Sequence, residues 1–308
     1  MFYRPAFIGA VFAALLASPA VNAQTLFRAY HASTGNDANP CTVTAPCRLL
    51  PRALTVVADG GEIWMLDSAN YNTAPVVIAK SVTVLAVPGA VGSVLASGGD
   101  AISVNAPGAK VSLRNLVILR GLAGGNSGVV VVTGDRLLVE GCLISGLTSG
   151  AGISVGANSR LRVIDSIVRD NSSGIIVEAG ATAEIAGTTI VGNTNYGLFV
   201  TALGGTTTAS VTDTIVSQNA YGAYALANGG NTRLYASRVT ASKNTAFGIV
   251  SESQSGTSVV SIGGSVVTAN PSGLVQSGAG AIMRTLGDNH VAGNTIDVTG
   301  TLTPLAPR

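Results

Sequence analysis

Charge is scarce in this sequence: 10% of its 308 residues are Asp, Glu, Lys or Arg, and the formal net charge is +2. So slight an imbalance leaves no electrostatic footprint for nucleic acid, and no nucleic-acid partner is expected. Histidine is scarcer still, limited to His31 and His290, and there are three cysteines, Cys41, Cys47 and Cys142. These five side chains show no ligand-like clustering, so neither a metal site nor a cofactor is expected. Aromatics make up only 5% of the chain. Beyond residue 23 no stretch stays apolar for the roughly 18–20 residues a membrane span requires, so none is expected in the mature chain.

What remains is rich in small and β-branched residues. Gly occurs 39 times and hydrophobic residues make up 47%, enough for a core and too much for a disordered chain. Abundant Val, Ile, Ser, Thr and Gly suit short strands with frequent turns better than long helices.

Residues 1–23 read as a secretory signal peptide. Arg4 supplies the charge, Phe7 to Ala17 the apolar segment, and Val21-Asn22-Ala23 a small-residue cleavage site. The mature chain is then expected to start at Gln24 and to be exported to the periplasm or outside the cell. In that oxidising setting Cys41 and Cys47, which bracket a Pro-containing loop, are expected to form a local disulfide. Cys142 has no evident partner and reads as a structural thiol.

From Gly128 to Asn294 one short pattern is written seven times. Each copy opens on Gly followed by a small or apolar residue, at Gly128, Gly152, Gly174, Gly197, Gly222, Gly248 and Gly273. Most close on Asn: Asn171, Asn193, Asn219, Asn244, Asn270 and Asn294. A period of 22–26 residues marks a solenoid, whose units cannot bury an apolar face alone and must stack. Within a copy, Leu198 and Val200 alternate with Phe199. A second run appears at Leu161-Arg162-Val163 and Ala209-Ser210-Val211. A third sits at Ile167, Ile190, Ile215, Val239, Val266 and Val291. Three strands and three turns in about two dozen residues describe one coil of a three-sided β-helix. Stacked coils would align the asparagines into a ladder whose amides satisfy turn backbone groups and one another. The repeated Gly is expected to serve positive φ or a tight turn.

Ahead of the repeats, Leu50, Leu54 and Val57 lie at helical spacing within Arg48–Ala58, and Asp59-Gly60-Gly61 ends that segment. The expected organisation is a cap over 24–61 with the disulfide loop and a capping helix, a β-helix over 62–300, and a tail over 301–308. Strands are expected at Glu62–Leu66, Pro75–Ile78, Val82–Ala86 and Ala101–Val104.

The segments Ser33-Thr-Gly-Asn-Asp37, Pro40-Cys41, Pro46-Cys47-Arg48, Ala53-Leu54, Asp59-Gly60-Gly61-Glu62-Ile63 and Tyr71 resemble the N-terminal cap and first coil of exported proteins of the pectin-lyase-like superfamily. With the Gly…Asn repeats, the resemblance covers nearly all of the mature chain. It implies an all-β fold: a right-handed, three-sided parallel β-helix of about ten coils with an N-terminal capping helix. It does not select an activity, because the superfamily holds lyases, hydrolases, esterases, epimerases and adhesins. The Asn-Thr-Asp, Asp-Asp and Gly-His-Gly set of polygalacturonases is missing. So are the Asp-Pro-His-Asp run of alginate epimerases and the Leu-Gly-Arg-Pro-Trp of pectin methylesterases.

Three features carry candidate function. Asp165 and Asp213 share a register, with Thr188 expected between them, but Asp before a strand is ordinary turn chemistry. Lys110, Arg136 and Arg160 each precede an inward residue by three (Leu113, Val139, Val163) and should stack outward on one face. Like charges at strand spacing repel, so a column of them points to an acidic polymer such as a uronate-containing glycan. The competing reading is a solvated face with local pairs such as Arg162 with Glu184. Tyr196, Tyr221 and Phe247 precede the Gly in successive coils, with Phe199 and Tyr224 outward after it. They suit sheet cohesion, cover by the tail, a homo-oligomer contact through an outward apolar stripe, or sugar stacking. The leading functional reading is an exported, non-catalytic β-helix that binds glycans or other surface macromolecules. A polysaccharide lyase and an adhesin-like structural repeat protein are the alternatives.

Overall fold

The computed structural model describes residues 25–156 and 158–305; the expected signal peptide lies outside them. The chain winds as a right-handed parallel β-helix of about ten coils, with three strand-bearing faces per coil. In the coil at Gly174, the first face is Ser173–Val177, the second Thr182–Ala186 and the third Thr189–Val191. Each pairs in parallel with its counterparts one coil before and after. The third face is a ten-stranded sheet of short strands.

Alternation within each strand fills the bore. On the first face Ile153, Ile175, Leu198, Ala223 and Ile249 stack inward, and on the second Leu113, Val139, Val163, Ile185 and Val211 do so, all buried. The third face differs from the sequence expectation. Ile167, Ile215 and Val266 point outward, and the inward column is Ile144, Val168, Ile190, Val216, Ala241 and Val267. Of the expected run, Ile190 and Val291 do hold the inward register and Val239 lies just before its strand. A three-residue strand has one inward position, its centre, so at Ile167, Ile215 and Val266 the run must be read one residue later.

The buried asparagines hold the turn between the third and first faces. Each Oδ1 of Asn193, Asn219, Asn244, Asn270 and Asn294 accepts the backbone N–H of the preceding asparagine at 3.0–3.1 Å. Each Nδ2 from Asn193 to Asn270 donates to the next Oδ1 at 2.9–3.2 Å. The same amides also donate to carbonyls on the third face, as Asn219 does to Ile190 at 3.2 Å. The ladder opens at Leu147, whose N–H reaches Asn171 Oδ1, and closes at Asp297, whose carboxylate accepts from Asn294.

This ladder also explains the repeated glycines, and the expected positive φ is not the reason. None of the seven opening glycines has positive φ. A Cβ on Gly222 would instead lie 2.3 Å from the carbonyl oxygen of Gly248 and 2.8 Å from Asn244 Nδ2. Only Gly lets the coils approach closely enough for the amide ladder to close.

A second buried register explains Cys142. Ser166, Thr188, Thr214 and Ser265 occupy successive or near-successive coils just before the third face, and each hydroxyl donates to the carbonyl two residues back at 2.8–3.0 Å. Cys142 takes the same place, its Sγ 3.4 Å from the Glu140 carbonyl, and burial raises its thiol to about 11. It is a packed, protonated thiol in a hydroxyl position.

The N-terminal boundaries shift from those expected. The helix is Leu50–Val56, and Val57 already opens a strand that runs to Met65 through Asp59-Gly60-Gly61. The solenoid begins earlier than residue 62, with the strand Leu26–His31 paired to that one. Cys41 and Cys47 are joined, and their loop covers the free edge of the first strand: Tyr30 N–H donates to Cys41 and Cys47 N–H to Tyr30. Covering this edge removes a template for unwanted pairing. At the other end Leu302–Pro304 pairs with the second face. These tail residues continue the solenoid and do not cover the aromatic stripe.

Within the cap His31 is fully buried, edge-on to Tyr71 at 4.2 Å, and neither ring nitrogen has a hydrogen-bond partner. Burial, reinforced by the nearby Arg48 charge, lowers its pKa to about 3. The native state therefore holds His31 neutral while the unfolded chain protonates it near 6.5, so stability is intact above pH 6.5 and declines as pH falls toward 3. Thermal melts should show this loss, and His31→Phe, which keeps the packing on Tyr71, should flatten it. An unchanged acid slope in that variant would exclude His31 as its source.

Replacing Asn219 by Ala should cost about 2–4 kcal/mol, because the buried N–H and Nδ2 of Asn193 lose their acceptor. Asn294→Ala, at the half-exposed end where water substitutes, should cost clearly less. Paired melts that give equal losses would contradict a ladder closed by these amides.

Candidate functional site

The second face places Lys110, Arg136 and Arg160 directly side by side on three successive strands, all exposed. The strand alternation that buries Val111, Leu137 and Leu161 turns these three outward. Neighbouring strands set their backbone positions roughly 4.8 Å apart. Arg160 is compensated by Asp135, which its guanidinium bonds at 2.5 and 3.2 Å, and that bond holds the Asp135 carboxyl below the ordinary range. Lys110 and Arg136 have no acid partner within 4.0 Å among the described residues.

The next outward column is balanced differently. Arg162 meets Glu184 at 3.1 Å, the local pair anticipated by the competing reading, and in the column beyond it Arg114 meets Glu140 at 3.0 Å. A groove of about 480 Å³ runs between the first two columns, lined by Arg136, Arg160 and Thr182 on one side and Leu138, Arg162 and Glu184 on the other. Thr182 was absent from the sequence expectation, and Glu184 entered it only as a partner for Arg162. They stand in register with Arg160 and Arg162 one coil on, and extending the column by one repeat identifies them.

The aspartates do not form a site. The residue between Asp165 and Asp213 is Gly187, not Thr188; Thr188 lies one place on, in the buried hydroxyl register. Asn115, Gly141, Asp165, Gly187, Asp213, Arg238 and Gly264 all have φ between 47° and 61°, a left-handed corner suited to Asn, Asp and Gly. Asp213 is bound by Arg238 at 2.6 Å, and that hydrogen bond lowers its pKa. Among the described residues no three His, Cys, Asp or Glu side chains gather as a metal-binding group.

The five aromatics come together on the outside of the first face. Tyr196 stacks on Phe199 at 4.4 Å and on Tyr221 at 5.0 Å, Tyr221 reaches Phe247 at 5.5 Å, and Tyr224 meets Tyr196 edge-on at 5.4 Å. Together they bury Val250 and Val275 in a satellite core. Tyr224 donates to Glu252, and burial together with that bond raises its pKa. Ring faces turned on one another serve cohesion and leave little flat surface for a sugar. Tyr221→Ala should therefore lower the melting temperature, at a cost of about 3–5 kcal/mol, with glycan affinity unchanged; a loss of affinity without a loss of stability would reverse that assignment.

A family model, "Right handed beta helix region", matches residues 100–296. The chain belongs to that family. Structurally this β-helix protein is of the pectin-lyase-like superfamily. It is similar to pectate lyase Pel9A, at 15% identity and TM-score 0.65, over 92% of this chain and 79% of that one. It is also similar to XylC, solved in complex with xylose, at 8% identity and TM-score 0.56, over 90% and 70% of the two chains. A third likeness is to the GH136 lacto-N-biosidase from Eubacterium ramulus, at 11% identity and TM-score 0.53, over 90% and 67%. At these identities the likeness concerns the fold. No curated protein matches the sequence.

Proposed function

We propose that this β-helix protein is exported and binds an acidic glycan along its second face, with Lys110, Arg136 and Arg160 as the contacts. The observation that carries the reading is the column itself. Three cations on adjacent strands repel, and among the described residues one acid, Asp135, faces all three: it is bonded to Arg160 and acts on Lys110 and Arg136 only through its charge. A carboxylated polymer would supply the missing counter-charges, and guanidinium groups bind carboxylates with paired hydrogen bonds. The groove beside the column gives a sugar ring a place to lie. The leader-like N-terminus and the Cys41–Cys47 disulfide support export, and no described helix is long and apolar enough to cross a membrane.

A second reading has one observation in its favour. Arg136, Arg160 and Arg162 converge on one groove, and a polysaccharide lyase could use such a residue as base. Arg162 is paired with Glu184 and Arg160 with Asp135, which leaves Arg136 as the candidate. Against the adhesin-like alternative, the apolar stripe at its aromatic end is already covered by its own rings.

Affinity electrophoresis through polygalacturonate tests the proposal. Wild type should be retarded, less so at high salt. The triple variant Lys110→Ser, Arg136→Ser, Arg160→Ser should bind at least about a hundredfold more weakly, since each charge-assisted contact contributes about 1.5–3 kcal/mol. Equal retardation of the two proteins would end the proposal. An ultraviolet-absorbing unsaturated product from wild type, lost in Arg136→Ser, would replace it with the lyase.

A further inference from the structure

A second groove, of about 630 Å³, opens near the C-terminal end of the same face, lined chiefly by Tyr235, Ser261, Arg284, Leu286 and Leu305. Tyr235, Ser261 and Arg284 face one another on three successive strands, in direct register. The backbone positions of Tyr235 and Arg284 are therefore roughly 9–10 Å apart, two strand spacings, with Ser261 on the strand between them. Leu286 forms the side wall by lying in the space left at Gly263, where a Cβ would come within 2.4 Å of its Cδ1.

Cohesion does not explain these residues as it explains the first-face aromatics. Tyr235 is 46% exposed, and its strand neighbours are Ser210 and Ser261, too small to cover it. No aromatic ring packs on it among the described residues. Arg284 is half-buried, and it too has no acid partner among the described residues. A flat apolar ring, a hydroxyl and an uncompensated guanidinium around one notch match a carboxylated pyranose. Its C–H face would lie on Tyr235, its hydroxyls would reach Ser261, and its carboxylate would pair with Arg284.

The two grooves share one lane. From Arg160 the outward column continues through Thr182 and Thr208 to Arg233, with Ser210 beside it. Thr182, Thr208 and Ser210 are small and hydroxyl-bearing, Arg233 adds a cation to the lane, and Glu184, beside Thr182, is engaged by Arg162. Arg136 and Arg284 are six strands apart along the axis, roughly 29 Å. We infer that the second groove is a distal uronate subsite, and that the ligand is a linear acidic polysaccharide lying along the solenoid axis and held at both ends. The inference rests on the acidic-glycan reading of the second face and adds to it a length requirement and three residues.

The test compares digalacturonate with long polygalacturonate by titration calorimetry. Wild type should bind the long chain at least about tenfold more tightly than the dimer. Tyr235→Ala and Arg284→Gln should each weaken long-chain binding about tenfold, the scale of a ring contact or a charged hydrogen bond. Neither should alter affinity for the dimer at the first groove. Tyr235→Phe, which keeps the ring, should bind like wild type, separating a stacking role from a fold defect. If the double variant Tyr235→Ala, Arg284→Gln binds the long chain as wild type does, while the Lys110, Arg136, Arg160 triple variant fails, the distal subsite is wrong and the first reading stands. If wild type binds polygalacturonate of neither length, both fall.

Discussion

Everything in this molecule depends on one constraint, the fixed separation of successive coils. Parallel strand pairing sets it at about 4.8 Å, and the buried asparagine amides hold it at a corner where no strand can. Because Nδ2 and Oδ1 bond both to the neighbouring amide and to backbone groups, the ladder works only if every coil keeps the same spacing. That demand propagates outward. It excludes a Cβ at the opening glycines, aligns the left-handed corners into one line, and stacks any outward side chain directly over its equivalent. A column of like charges is a consequence of the stacking, and so is a column of rings.

The same rigidity explains why the two outward ladders differ in character. On the first face, stacked positions hold large rings, and ring-to-ring contact shields them in part and buries Tyr224 and two valines. On the second, stacked positions hold long cations that cannot satisfy one another, and the fold gives acids to some and not to others. Identical geometry with different chemistry yields an internal seam in one case and an unsatisfied surface in the other. The electrostatic accounting, rather than the shape of the groove alone, distinguishes the second face.

Much of the fold was legible in the sequence because its periodicity is written in residues with narrow roles. Gly and Asn at a regular interval announce the coil, and two-residue alternation on the first two faces gives the inward set. On the third face Ile190 and Val291 were placed in the inward register while Ile167, Ile215 and Val266 were one residue off it, because a three-residue strand has too little alternation to fix its phase. That slip also misaligned Thr188 with the aspartates, when Gly187 occupies their corner. The glycines were located correctly and explained wrongly, since a sequence shows that a Cβ is missing and not which atom would collide with it. The cationic column could be read from spacing alone. The groove beside it, and the notch at Tyr235 and Arg284, depend on which side chains are small in between, and that emerges only when coils are aligned exhaustively.

The left-handed corners and the amide ladder also make the chain modular along its axis. Each coil presents to the next the same pattern of donors, acceptors and inward apolar groups, so an added or deleted coil would meet compatible neighbours on both sides. The separation between features on the second face is therefore quantised: it changes only in whole strand spacings, with no change in their lateral alignment. The solenoid acts as a molecular ruler whose graduations are coils. Evolution, or an engineer, could alter the span it measures by duplicating a repeat without touching the residues at either end.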